Sequence, residues 1–249
     1  MCKFPYLCYN NSMVMASFLT SKIKKAFTLA EVLITLVIIG VIAALTIPNV
    51  VNNYSKQETV SRLKKAYSTL MQTTARAVVD HGSVDNWELG VAGSADDTLT
   101  FFNTYMAPYL SLAEKAQKLS STSWNKTYYY LNNSEHQYGN WVRTYLADGS
   151  SLTMMINTSN DIQKWFKVHV DINGDKKPNK FGRDIFIFWY FIRYDHIEYQ
   201  GTFQPCGIVF SRNANLSDGD GNCHKNQSGD RCSSVIIKDS WQIKDDYPW

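Results

Sequence analysis

Lys22-Ile23-Lys24-Lys25-Ala26-Phe27-Thr28-Leu29-Ala30-Glu31, then the apolar run Val32 to Ile47 and Pro48, is the stretch on which the fold turns. A short basic cluster meets a long apolar segment, with one carboxylate just inside it. From Val32 to Ser55 no side chain is charged. A helix needs roughly 20 apolar residues to cross the hydrocarbon core of a bilayer, so this segment is long enough. Glu31 is its anomaly. A carboxylate near the end of such a segment is costly without a partner, which makes it a candidate functional position. Two simpler readings compete. Thr28-Leu29-Ala30-Glu31 is also a capping box, in which hydroxyl and carboxylate satisfy open backbone donors at a helix start. A secretory signal peptide cut after Ala43-Ala44 is the other. It fits poorly, because the run is too long and an acid inside it is out of place.

The segment Ala26-Phe27-Thr28-Leu29-Ala30-Glu31, followed by an apolar helix with Gly40 and Pro48, resembles the prepilin cleavage and methylation segment. That segment defines type IV pilins and the pseudopilins of type II secretion systems. The resemblance implies cleavage between Ala26 and Phe27 by prepilin peptidase, a membrane aspartyl peptidase that then methylates the new amino group of Phe27. It places Glu31 at the family's acidic position, and Gly40 and Pro48 where the family loosens its helix. The residue before the cut is usually Gly in the family; here it is Ala26, still small. The implied fold is α+β and pilin-like, a long N-terminal helix on an antiparallel sheet. The implied organisation is a leader over 1–26, a membrane and assembly helix over 27–51, its amphipathic continuation over 52–82, and a head over 83–249. The implied partners, beyond the peptidase, are the lipid bilayer, the inner-membrane assembly platform and other pilin or pseudopilin subunits.

Composition agrees with an exported chain. The formal charge of +3 falls to about −1 once the four lysines up to Ala26 (Lys3, Lys22, Lys24, Lys25) are set aside. No basic stripe remains, so the electrostatic footprint of a dedicated nucleic-acid binder is missing. Lysines on the near side of an apolar span stay in the cytoplasm, which puts the C-terminal body outside the inner membrane. Met13 or Met15 would serve as a start as well as Met1. Cys2 and Cys8 lie in the leader; Cys206, Cys223 and Cys232 remain, in an oxidising compartment on this topology. Three cysteines cannot all pair. Cys223 and Cys232, close together between Gly-rich turns, are the favoured bridge, and three free thiols the alternative.

After Pro48 the pattern turns amphipathic. Val60, Leu63, Tyr67, Leu70, Met71, Thr74, Ala77 and Val78 recur at helical spacing, with Lys56, Arg62, Lys64 and Arg76 assigned to the other face. Pro48 should kink the helix, His81-Gly82 should stop it, and its stripe should lie on a sheet. Ser83 to about Trp124 reads as a connection holding one short helix, capped by Asp96 or Asp97 and carrying Leu99, Phe102 and Met106, that ends near Pro108. Strands are expected from Thr127 to Leu131, Trp141 to Ala147, Ser151 to Ile156, Trp165 to Ile172 and Asp184 to Ile192. Asp148-Gly149 is the hairpin signal between the second and third. Cys206 to Trp249 reads as turn-rich chain closing over the sheet.

Asp171, Asn173 and Asp175 place oxygen-bearing side chains at alternate positions, with Asn179 and Asp184 following. That pattern suits Ca²⁺, which takes several hard oxygen ligands. An EF-hand would need an acid at the twelfth position, which is Gly182, so this is a different loop or a plain turn. Some secretion pseudopilins carry calcium in a sheet-domain loop, so the resemblance adds weight to the metal without displacing the plain turn. Asp218-Gly219-Asp220-Gly221-Asn222 is a weaker candidate. His81, His136, His169, His196 and His224 are scattered and read as surface or capping residues, and no catalytic motif is found. The expected function is structural: a subunit of a type IV pilus or type II secretion pseudopilus, not an enzyme. The alternative is a membrane-anchored extracytoplasmic calcium- or glycan-binding module that does not polymerise.

Overall fold

The computed structural model describes residues 27–119, 126–158, 164–193 and 197–249. It divides into two compact units, one ending at Asn49 and one spanning Val50–Trp249. Helix α1, Leu29–His81, runs uninterrupted through Pro48. It stops where Gly82 takes a φ of +76°, which spares a side chain the left-handed penalty, and the Gly82 N–H closes on Val78 O at 2.9 Å.

In the second unit α1 buries Thr59, Leu63, Ala66, Leu70, Thr73, Thr74 and Ala77, a stripe at three- and four-residue spacing. Leu63 and Leu70 are fully enclosed, positions where truncation to Ala costs about 2–5 kcal/mol. Two expectations shift. Val78 is exposed while Ala66 and Thr73 join the core. Lys56 and Arg62 are half-buried rather than on the solvent face. The Lys56 ammonium is 3.8 Å from Asp245, and Arg62 Nη1 donates to Ile172 O at 3.3 Å. Long basic stems can lie along a packed surface while their heads find polar partners.

The short helix is α2, Ala95–Tyr105, but its cap is Ser94, whose hydroxyl accepts from Asp97 N at 3.2 Å. Neither Asp96 nor Asp97 caps it. Asp97 instead accepts from Val91 N at 2.9 Å. Phe101, Phe102 and Met106 are buried, and Leu99 is only half-buried.

The strands are β1 Gln117–Lys118, β2 Tyr128–Tyr129, β3 Glu135–His136, β4 Val142–Tyr145, β5 Ser151–Thr158, β6 Lys164–Asp171, β7 Ile185–Arg193 and β8 Phe203–Pro205. Six form one antiparallel sheet in the order β1-β4-β5-β6-β7-β8, and β2 and β3 pair separately. The architecture is α+β and pilin-like, a long helix packed with an antiparallel sheet. The Asp148-Gly149 hairpin sets the register, with Tyr145 opposite Ser151 and Gly149 at φ +84°. Leu152, Met154, Ile156, Phe166, Val168, Val170, Phe186, Phe188 and Tyr190 join the α1 stripe in one core. The opposite face of β7 carries Ile185 and Ile187 into a second core with Tyr128, Tyr138 and Phe181. Being covered on both faces explains why β7 reads as a continuous apolar run. The last stretch holds two short helices not expected from sequence, α3 Arg212–Leu216 and α4 Cys232–Lys238. Trp241 lies 5.6 Å from Tyr67 of α1, so this stretch packs into the main core.

Candidate functional site

Three constellations were expected to carry function. The first is the N-terminal segment. Ala26 lies outside the described residues; Phe27 is exposed. Thr28 and Glu31 form the capping box. Thr28 N and Oγ1 each donate to Glu31 Oε2 at 2.8 Å, and Glu31 N donates to Thr28 Oγ1 at 3.2 Å. The carboxylate is therefore satisfied inside its own first turn. The side chains beyond it, from Leu33 to Val51, are almost all exposed, and nothing lies within 4 Å of a Cβ built on Gly40. The most apolar 18-residue window of α1 has mean hydropathy 2.6 and no buried residue. A helix apolar all round and unburied needs an apolar environment.

The second is the oxygen loop. Asp171 and Asp184 are buried, with Asn173 and Asn179 beside them. Asn173 N donates to Asp171 Oδ1 at 3.2 Å, Asn173 Nδ2 to Asp184 Oδ2 at 3.3 Å, and Asn179 N to Asp184 Oδ2 at 2.7 Å. Asp171 Oδ2, Asn173 Oδ1 and Asn179 Oδ1 are buried with no hydrogen-bond partner. Burial and the nearby Asp184 push the Asp171 carboxyl up to about 8, and burial pushes Asp184 up to about 6. Asp175 has other company: Lys126 pairs with it and Tyr145 Oη donates to it at 2.7 Å.

Arg143, unremarked in the sequence, is enclosed beside this loop. One guanidinium nitrogen, Nη2, is 3.6 Å from Asp171 and 3.7 Å from Asp175. Only strand pairing brings it there, so no local pattern announces it. Among the described residues no three His, Cys, Asp or Glu side chains form a metal-holding group. A cation here would rest on Asp171 and Asp184 plus the carbonyl oxygens of Asn173 and Asn179, a donor set that fits Ca²⁺. In the weaker loop, Asp218 accepts from Gln227 and Asn226, and Asn222 Oδ1 from Arg231, so their carboxylate and amide oxygens are engaged.

The third is the cysteines. Cys223 and Cys232 are bridged and buried; Cys206 is a free buried thiol pushed up to about 12 by burial. Gly182 packs against this bridge at φ +75°, where a Cβ would come within 2.6 Å of Cys232 Sγ.

The histidine expectation needs correction. His169 is 4% exposed, and His136 sits beside it at 6.1 Å between ring centroids, among Tyr138, Trp141 and Phe181. Tyrosine hydroxyls bond the Nδ1 atoms, Tyr130 to His136 at 2.6 Å and Tyr138 to His169 at 2.9 Å. Burial lowers His136 to about 4 and His169 well below its ordinary range, so the half-buried His136 and the buried His169 are both neutral at pH 7. His196 lies outside the described residues.

Residues 21–47 match the prokaryotic N-terminal methylation motif, the segment that contains Phe27, Glu31 and Gly40. Residues 49–249 match a family described as a family of unknown function, DUF6613. No solved structure matches the chain. The N-terminus is thus type IV prepilin-like and fits a membrane-anchored pilin, and the chain belongs to the family of unknown function DUF6613.

Proposed function

We propose that the protein is a structural, non-catalytic subunit of a type IV pilus or type II secretion pseudopilus. Prepilin peptidase cuts it between Ala26 and Phe27 and methylates Phe27. The inner-membrane assembly platform then draws it from the bilayer into an extracytoplasmic filament with other pilin or pseudopilin subunits. One observation carries this reading: the methylation motif runs directly into a helix whose apolar side chains are unburied on every side. Such a helix is served by lipid first and by neighbouring helices of the same kind afterwards. Gly40, with no side chain, allows close approach of a neighbour, and Pro48 leaves one backbone carbonyl of α1 without its usual donor.

Glu31 is the register device in this reading. Thr28 satisfies it in the separate subunit. Among packed apolar helices an unpaired carboxylate would cost several kcal/mol. The methylated amino group of Phe27, on a neighbouring subunit or the same one, is the cation at matching depth. Glu31→Gln keeps the capping geometry but removes the charge, so the variant should be cleaved, inserted and stable, yet absent from sheared filaments on immunoblots. Normal incorporation of Glu31→Ala would leave the capping box as its whole role.

A second reading, a membrane-anchored calcium-binding module that does not polymerise, draws support from the buried oxygens of Asp171, Asn173 and Asn179 that accept no hydrogen bond. Calcium binding is compatible with either reading, because a calcium-braced loop would stiffen a filament subunit as well; polymerisation is what separates them. A glycan ligand has no comparable support among the described residues.

A further inference from the structure

A cavity of about 570 Å³ opens beside the disulfide, and its wall includes Lys180, Arg183, Lys225, Tyr247 and Trp249. Among the described residues none of the three cations has a carboxylate within ion-pairing distance. Lys180 Nζ is held by the neutral Asn133 Oδ1 at 2.6 Å, and Lys225 is exposed. The acid on the same wall, Asp246, is taken by Arg212 at 2.7 and 2.8 Å. Arg183 is half-buried, its guanidinium 4.9 Å over the Trp249 ring, and burial draws it below the usual guanidinium range. Asp184 offsets part of the cost of this partly desolvated guanidinium, without closing an ion pair, and an anion entering the cavity would relieve the rest.

The wall is also fixed in place. Tyr247 Oη donates to Gly182 O at 2.6 Å, and Trp249 Nε1 donates to Asn52 Oδ1 at 2.6 Å. Stacking on Trp249 holds the Arg183 fork, whose paired N–H groups match a tetrahedral oxyanion, while the lysines add mobile point charges. A second cavity of about 290 Å³ shares Arg183 and Trp249 and adds Lys176 and Lys177, also without carboxylate partners among the described residues. Four lysines thus stand around one Arg–Trp stack, while Glu58 and Asp184 lie on the second cavity's wall, neither of them ion-paired to these lysines.

We infer that this stack is a phosphate-ester binding site, and that the ester is the headgroup of an anionic phospholipid. The source follows from chain adjacency. Trp249 is bonded to Asn52, which lies within the uncharged run from Val32 to Ser55 that continues the apolar segment. Tryptophan with lysine and arginine is the side-chain chemistry of the bilayer interface, where each basic group near an anionic surface contributes about 1 kcal/mol. The site holds whether or not the subunit polymerises; it needs only the membrane anchor.

The test is hydrogen exchange on the full chain reconstituted in phosphatidylcholine vesicles with and without phosphatidylglycerol. Peptides covering 176–183 and 244–249 should exchange several-fold more slowly when phosphatidylglycerol is present. Arg183→Gln/Lys225→Gln should abolish that protection while leaving exchange across 164–193 outside the site unchanged. An Arg76→Gln/Lys115→Gln control, equal in charge and remote from the cavity, should keep it. Equal loss in the control would reduce the effect to general charge attraction and overturn the site. Protection by millimolar glycerol phosphate in phosphatidylcholine vesicles, with none from phosphatidylglycerol, would keep a phosphate site but overturn the lipid source. Protection by neither overturns the proposal.

Discussion

Burial and Asp184 keep the Asp171 carboxyl protonated up to about pH 8 in the folded chain, whereas an unfolded aspartate has lost its proton above roughly pH 4. A folded-state pKa raised in this way stabilises the fold below it, and the contribution is lost as pH rises through it. Between pH 4 and 6 the lowered His136 and His169 work in the opposite sense, since the unfolded imidazoles bind protons that the buried ones refuse. From about pH 7 to 8.5 the unfolded imidazoles bind few protons, so the histidines contribute little, and Asp184, at about 6, has ionised. Asp171 then dominates. In chelator, urea unfolding of the full chain in detergent should show stability falling by on the order of 1–2 kcal/mol across that window. Asp171→Ala should flatten the fall. Calcium should replace the proton, raising the melting temperature at pH 8 in the wild type and not in Asp171→Ala. The absence of any shift at millimolar calcium would leave the loop a hairpin turn. Glu31 was legible as a residue because it is the lone carboxylate of its run. Arg143 and His169 were not. Their burial is created by cross-strand neighbours such as Thr153 and Ile187, distant in sequence.

Elements were legible in proportion to their length. The α1 stripe and strands β4 to β6 carry a hydrophobic period over several residues, β7 a continuous apolar run and Asp148-Gly149 a turn signal, and the structure places each element accordingly. The two-residue strands β1, β2 and β3, and the short helices α3 and α4, span too little chain for a period to register. They are fixed by tertiary bonds instead: Ser211 caps α3 through Ala214 N, and Ser233 of α4 donates to Ile187 O. The bridge between Cys223 and Cys232 ties this low-propensity region to the core, with both sulfurs fully enclosed. Closing so short a loop is worth on the order of 2–3 kcal/mol. Cys223→Ser/Cys232→Ser should lower the unfolding free energy of the full chain by that amount, read as a lower urea midpoint. An unchanged midpoint would mean that helix packing alone, through Val235 and Ile236, holds the region.

At the scale of the molecule, one chain carries two solvents' worth of sequence. The apolar unit ending at Asn49 has nothing to bury it among the described residues, while the unit from Val50 has a complete core of its own. A protein built only to bind something outside the membrane would need the anchor but not a carboxylate at Glu31 or the processing site proposed before Phe27. That pairing is the central claim; what was legible is the apolar segment itself, because charge and hydropathy change together over a few residues. The head's particular chemistry was not, because it depends on long-range packing. The most direct measurement is mass spectrometry of the N-terminal peptide of the protein purified from membranes in which prepilin peptidase is active. The account predicts a chain beginning at Phe27 with one methyl group on its amino nitrogen. An intact leader, or a cut near Ala44, would contradict it.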